Sequence, residues 1–257
     1  MKVIRQYTVI CACLIISFSG ILKAQSTDRP NVQIQTGGTQ ASTPHTELKT
    51  ADIYSEGLID AMKNYMEAFG DSKADNADAI ISKVLDTLSP LINDNENIAN
   101  LYQMVLKRYA ALALENGNIE RWLKLNKEDY LVTKQWYNKN PEKFAHDMLR
   151  TSLAMTGCYI DEHQWDNAEK MAEETQQLML KLDNLSEQQT IESQFLIDYY
   201  LACIWSAKGH RNKTFQFATK AVEDHVKLEK TAEGQNKFTE ERSYLEDEIL
   251  AKCRTGR

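Results

Sequence analysis

Little in this sequence bends or crosslinks a chain. Proline occurs only four times in 257 residues, at Pro30, Pro44, Pro90 and Pro141, and glycine is scarce beyond residue 50. The two residues that most disrupt helices are therefore missing from long stretches. Of the five cysteines, Cys11 and Cys13 fall in the first two dozen residues, leaving Cys158, Cys203 and Cys253. Three is too few and too odd for a disulfide-stapled framework, and no CxxC or zinc-type spacing links them. Buried free thiols are the simpler expectation, with a single bridge as the alternative. The glycine patterns that cradle phosphate or present a nucleophile, GxxxxGK[ST], GxGxxG and GxSxG, do not occur. None of the five histidines is followed by Glu, so HExxH is missing too. No catalytic residue, metal ligand or cofactor is predicted. Excess positive charge is also lacking: 30 Lys and Arg stand against 37 Asp and Glu, a formal net charge of −7. Such a chain repels phosphate backbones and anionic lipid, so nucleic acid is not an expected partner.

What is present begins with one apolar run. "MKVIRQYTVICACLIISFSGILKAQS" opens on Lys2 and Arg5, continues apolar from about Tyr7 to Leu22, and reaches small Ala24 before Gln25. This is the layout of a secretory signal peptide, predicted as residues 1–24. It is short for a spanning helix, and no later stretch is long and apolar enough to cross a bilayer. Cys13 comes too early in the run to favour lipoprotein processing. Cleavage after Ala24 removes three cations and no acids, taking the net charge from −7 to −10. An Ala–Gln junction resembles those of Gram-negative bacteria, implying a secreted or periplasmic chain. Residues 25–50 are rich in Thr, Gln, Ser, Gly and Pro, which bury too little surface to offset ordering. They read as a flexible linker, or equally as a disordered terminus with no role.

From about Ile53 apolar residues recur at the helical spacing of three and four. Leu58, Ala61, Tyr65 and Phe69 make one stripe. Ala77, Ile80, Ile81, Val84 and Leu88 make a second, stopped by Pro90. Ile98, Leu101, Val105 and Leu112 make a third, closed by Asn116-Gly117 as a C-terminal cap. Shorter helices are predicted through Trp122 and Tyr130 to Tyr137, broken at Asn140-Pro141. No alternating strand pattern with hairpin turns is visible. The expectation is an all-α domain over residues 51–257, large enough for a real core.

"AMTGCYIDEHQWDNAEKMAEE", residues 154–174, holds an Asp-Glu-His trio that invites a metal or catalytic reading. A later stretch argues for a turn instead. With Tyr159 and Trp205 as anchors, Thr156 and Ala202 lie three before, and Ala168 and Thr214 nine after. Ala172 and Ala218 lie thirteen after, and Thr175 and Ala221 sixteen after. Antiparallel helices joined by a tight turn approach closely only through small side chains, while a ring beside the crossing fills the space toward the turn. One hairpin cannot bury its own apolar face and needs a neighbour stacked on it. Asp161, Glu162 and His163 then fall at the turn, as His210 does beside Gly209 in the second copy, where backbone groups need polar partners.

This spacing resembles the tetratricopeptide repeat over residues 142–182 and 188–228, with Trp165 as a further matching aromatic. The resemblance implies stacked antiparallel hairpins in a right-handed α-solenoid, a superhelix whose first helices line a concave groove for a protein partner. The anchors lie 46 residues apart, against about 34 in that family. His163 stands where the turn glycine is usual, and upstream stretches around 53–90 and 95–137 fit only loosely. The groove positions implied by the family are Arg150, Leu153, Gly157, Ile160 and Asp161, then Leu196, Tyr199, Cys203, Ser206 and Ala207. Among these Arg150, Asp161 and Tyr199 have the chemistry of partner-binding residues. Two aromatic pairs, Trp136-Tyr137 and Tyr199-Tyr200, add a consideration. Neighbours on a helix point about 100° apart, so one of each pair is expected at a surface. The plentiful carboxylates read as solvated helix faces. Asn184-Leu-Ser and Asn212-Lys-Thr match a glycosylation acceptor but carry no weight in a bacterial chain. The expected function is a non-catalytic interaction scaffold or accessory subunit for an envelope protein. The alternative is a glycan or small-molecule binder, with an all-α enzyme ranked last.

Overall fold

The computed structural model describes residues 77–231, 234 and 236–255, and among them every regular element is helical. The predicted signal peptide, the linker and the Leu58–Phe69 stripe lie outside the described residues. The chain divides into two compact units meeting between Tyr109 and Ala110. The described part of the first holds α1 (Ala77–Leu88), a 3-10 turn (Ser89–Leu91) and the start of α2 (Glu96–Glu115). Ile81, Val84 and Leu88 are buried, as the predicted stripe requires, and so are Ile98, Tyr102, Val105 and Leu106.

The second unit continues through α3 (Ile119–Lys139), α4 (Pro141–Asp161), α5 (Trp165–Met179), α6 (Glu187–Ala207) and α7 (Arg211–Leu228). It closes with a helical run of α8 (Thr239–Tyr244), a π segment (Leu245–Leu250) and α9 (Ala251–Thr255). Each helix from α3 to α7 packs against the next, α4 also packs against α6, and the π segment packs on α6 and α7. The short helices predicted between Trp122 and Tyr137 are one continuous helix, because that stretch contains neither proline nor glycine. The break at Asn140-Pro141 stands: the Asn140 side chain accepts from the Lys143 amide, and Pro141 occupies the first helical turn. Asn118 caps α3 in the same way, and Ser186 and Gln189 form a capping box on α6.

The helix ends keep a strict 46-residue register. The first helices of three consecutive pairs end at Glu115, Asp161 and Ala207, and the second helices begin at Ile119, Trp165 and Arg211. The loosely fitting stretch 95–137 thus ends on the same period. At each junction one residue is left-handed: Gly117 at φ 70°, His163 at 58° and Gly209 at 74°. The closing bonds repeat as well. The amides of Gly117, His163 and Gly209 donate to Leu114, Ile160 and Ser206, and those of Asn118, Gln164 and His210 donate to Ala113, Tyr159 and Trp205. This double closure satisfies carbonyls that the helix end would leave orphaned. Each small residue named in the sequence pattern, from Thr156 to Ala221, is buried. In the earliest pair the pattern inverts. Ala113 stands at the anchor position and Trp122 at the partner position, both buried, so in sequence the large residue has moved to the second helix.

The terminal run solves a different geometric problem. Glu241, Leu245, Ile249 and Cys253 are buried at steps of four. On an α-helix each such step overshoots a full turn by about 40°, so the stripe would drift off its face. The wider π turns at Leu245–Leu250 take up that excess and hold the four positions in line.

Candidate functional site

The trio of the opening stretch is divided among three structural tasks. Glu162 caps α4 and pairs with Lys127 on α3. His163 adopts the left-handed turn conformation and stacks on Trp165, ring centres 5.4 Å apart. Asp161 ends α4 partly buried, and neither of its carboxylate oxygens has a hydrogen-bond partner in the protein. Burial, and then the neighbouring Glu162, push its carboxyl up to about 7. Among the described residues no three His, Cys, Asp or Glu side chains converge as a metal site. The thiols of Cys158, Cys203 and Cys253 are free and buried.

The other two predicted partner-binding residues sit inside. Arg150 is 5% exposed, and its Nη2 donates to Asp129 Oδ2 at 2.8 Å. Asp129 stands at the small-residue position held by Thr175 and Ala221 in the next two pairs. A carboxylate between helices requires a cation there, which explains Arg150. Tyr199 is fully buried, with its ring against Phe195, Tyr200 and Tyr244. Burial takes Arg150 and Tyr199 out of a partner's direct reach. Of the aromatic pairs, Trp136 is buried and Tyr137 half-exposed, matching the geometric expectation. Tyr199 and Tyr200 are both buried, because α6 has neighbours on several sides: α5, α7, α4 and the π segment. The remaining groove positions named from the resemblance are mostly buried too: Leu153, Ile160, Leu196 and Cys203.

The surface that could hold something lies elsewhere. An open groove of about 760 Å³ runs between α3 and α5, over α4. Met148 and Ser152 of α4 form its floor, and Tyr137 of α3 one wall. The other wall is one face of α5, from Lys170 through Glu173, Glu174, Gln177 and Leu178 to Lys181 just beyond it. That face falls on the i, i+3, i+4, i+7 spacing and, being charged at both ends, reads in sequence as ordinary solvated helix. Only the Tyr137 argument hinted at it.

The register supplies an internal reference for this groove. Forty-six residues on from Met148, Ser152, Glu174, Leu178 and Lys181 stand Gln194, Asp198, Lys220, Asp224 and Lys227. There several of the side chains pair with one another. Gln194 Nε2 donates to Asp198 Oδ2 at 2.8 Å, and Lys227 Nζ pairs with Asp224 Oδ1 at 2.6 Å. Asp198 is 2% exposed, and its Oδ1 has no protein partner. Desolvation raises its carboxyl to about 6 against the pull of Gln194 and Lys220. The same backbone position is therefore an open mixed groove in one pair and, in the next, a polar cluster around the buried Asp198 and Asp224. No protein-family model, no curated protein and no solved structure matches this chain.

Proposed function

We propose that this chain is an extracytoplasmic helical-repeat module, similar to tetratricopeptide proteins, that works by holding a protein partner and not by catalysis. The observation that supports this reading is the 46-residue register of helix ends, turns and closing bonds across three consecutive pairs. Stacked hairpins of one pitch build a superhelix with long side surfaces, and such surfaces suit extended partners. The pitch is longer than that family's, and the first-helix positions it would use are largely buried. The partner surface therefore falls on the groove between second helices. Export rests on the N-terminal pattern of residues 1–24.

The full chain, tagged at its C terminus and cross-linked in its native cell, tests the reading. One dominant envelope protein, captured by the native chain and lost when Leu178→Lys is introduced, supports it. Uniform background capture overturns it. A second reading has Tyr137 in its favour, since a half-exposed ring in a groove can stack on a sugar face. Thermal stabilisation of the chain by a glycan or peptidoglycan fragment, with no captured protein, moves the assignment there. A ligand at 100 times its dissociation constant adds about 2.7 kcal/mol.

A further inference from the structure

The groove between α3 and α5 carries a more specific assignment, which rests on the interaction-module reading. We propose that it takes an extended peptide segment of a partner, about five residues long. The segment would carry a cationic side chain near Glu173, an acidic group near Lys181 and an apolar side chain between them on Leu178 and Met148.

Much of this groove's hydrogen-bonding capacity is unused. In the cluster one unit on, equivalent side chains bond to one another. Here Lys170 and Glu174 make only a 3.9 Å exposed pair. Among the described residues the side chains of Tyr137, Glu173, Gln176, Gln177 and Lys181 have no intramolecular partner, although all five line the groove. The lining also tells an extended occupant from a helical one. A helix has satisfied its own backbone and needs an apolar trough. This groove offers three apolar residues, Tyr137, Met148 and Leu178, beside the carboxamides of Gln176 and Gln177. A carboxamide both donates and accepts, as an extended main chain demands at each residue.

Dimensions set the length. The wall from Lys170 to Lys181 covers eleven helical steps, about 16 Å, which an extended chain crosses in about five residues. Open along its length, the groove cannot enclose a small ligand as a typical small-molecule pocket does. The charges set the polarity. Glu173 and Lys181 lie eight helical steps apart, about 12 Å, or three to four residues of extended peptide.

Selection of random dodecapeptides displayed on phage against the folded full chain tests this. The expected consensus has Lys or Arg and Asp or Glu three to four residues apart, with an apolar residue between. Binding of the selected synthetic peptide should fall roughly tenfold or more in Leu178→Glu. The pair Glu173→Lys with Lys181→Glu should select the reverse charge order. Both changes sit on exposed or half-exposed positions, so an unchanged melting temperature confirms the fold. A consensus without paired charges, an amphipathic helical consensus, no enrichment, or binding indifferent to these variants overturns the assignment. An envelope partner captured in cells that ignores the groove variants leaves the module reading standing while this one falls.

Discussion

The pairs α4–α5 and α6–α7 share the bounds of their first helices, the start of their second helices, turn geometry and closing bonds, yet are filled with different chemistry. At the inner crossing the earlier pair meets α3 through Asp129 and Arg150. The corresponding positions one unit on are Thr175 and Leu196, small and apolar. At the outer groove the relation reverses: Met148, Ser152 and Leu178 become Gln194, Asp198 and Asp224. One backbone plan thus tolerates charge at either place, provided each buried charge finds a partner. The comparison teaches that the period fixes where side chains meet and leaves their character free.

The sharpest way to break it is at the ion pair. Asp129→Ala alone should lower stability by about 3–5 kcal/mol, because it leaves buried Arg150 with only its longer 3.8 Å contact to Asp147. Importing the later unit's residues together, Asp129→Thr with Arg150→Leu, should recover most of that loss. Urea titration of the three proteins reads both effects, and a double variant as weak as the single one would mean that the two crossings are not equivalent.

The next contrast depends on pH. Asp198 binds its proton more tightly folded than unfolded, since burial raises its carboxyl to about 6. Its contribution is therefore full below the ordinary carboxyl range near 4 and is lost as pH rises through about 6. Asp198→Ser, which installs the residue of the earlier unit, should raise the melting temperature more at pH 8 than at pH 4.5. Asp161 is raised to about 7, and the position one unit on is Ala207. Asp161→Ala should show the same sign, with its transition nearer neutrality. Equal gains at both pH values would remove desolvation as the cause.

The turns differ by a single residue. His163→Gly should stabilise by about 0.5–1 kcal/mol and Gly209→His should destabilise by a similar amount, because only glycine adopts a left-handed φ without strain. No atom lies within 4 Å of a Cβ built on Gly209, so backbone strain alone is read there. Loss of the His163 stacking on Trp165 would show as a shortfall in the first value.

The smallest effect concerns the polarity of the turn contacts. Glu162 pairs with Lys127 on α3, and 46 residues on Lys208 pairs with Asp166 and Glu169 on α5, so the cap residue reverses its sign and reaches the preceding second helix at different positions. Lys127→Glu should cost under about 1 kcal/mol, and adding Glu162→Lys should restore it. Thermal melts at low and high salt separate this from packing, since only the charge term fades with salt.

Periodicity in the residues carried most of the fold. The small residues around Tyr159 and Trp205 located two hairpins, and Asn116-Gly117 located the end of α2. The earliest pair was harder to see because Ala113 and Trp122 exchange sizes, so a search for a ring on the first helix passes over it. The partner-binding residues were the least legible part. Arg150 looks like a recognition residue until Asp129, 21 residues earlier, is seen across the helix crossing. Nor does the sequence announce that Lys170–Lys181 faces a cleft, since whether a charged helix face meets water or a wall depends on how far α3 and α5 are splayed.

The π segment has a consequence for how the chain opens. Wide π turns are rare and short departures from the α-helix, and this stretch, packed on α6 and α7, carries three acidic residues in its first turn, Glu246, Asp247 and Glu248. Amide exchange should therefore enter the second unit at Leu245–Leu250 while α6, buried among α4, α5 and α7, keeps its protons longest. The device that aligns the last helix with the core also makes it the first to let go.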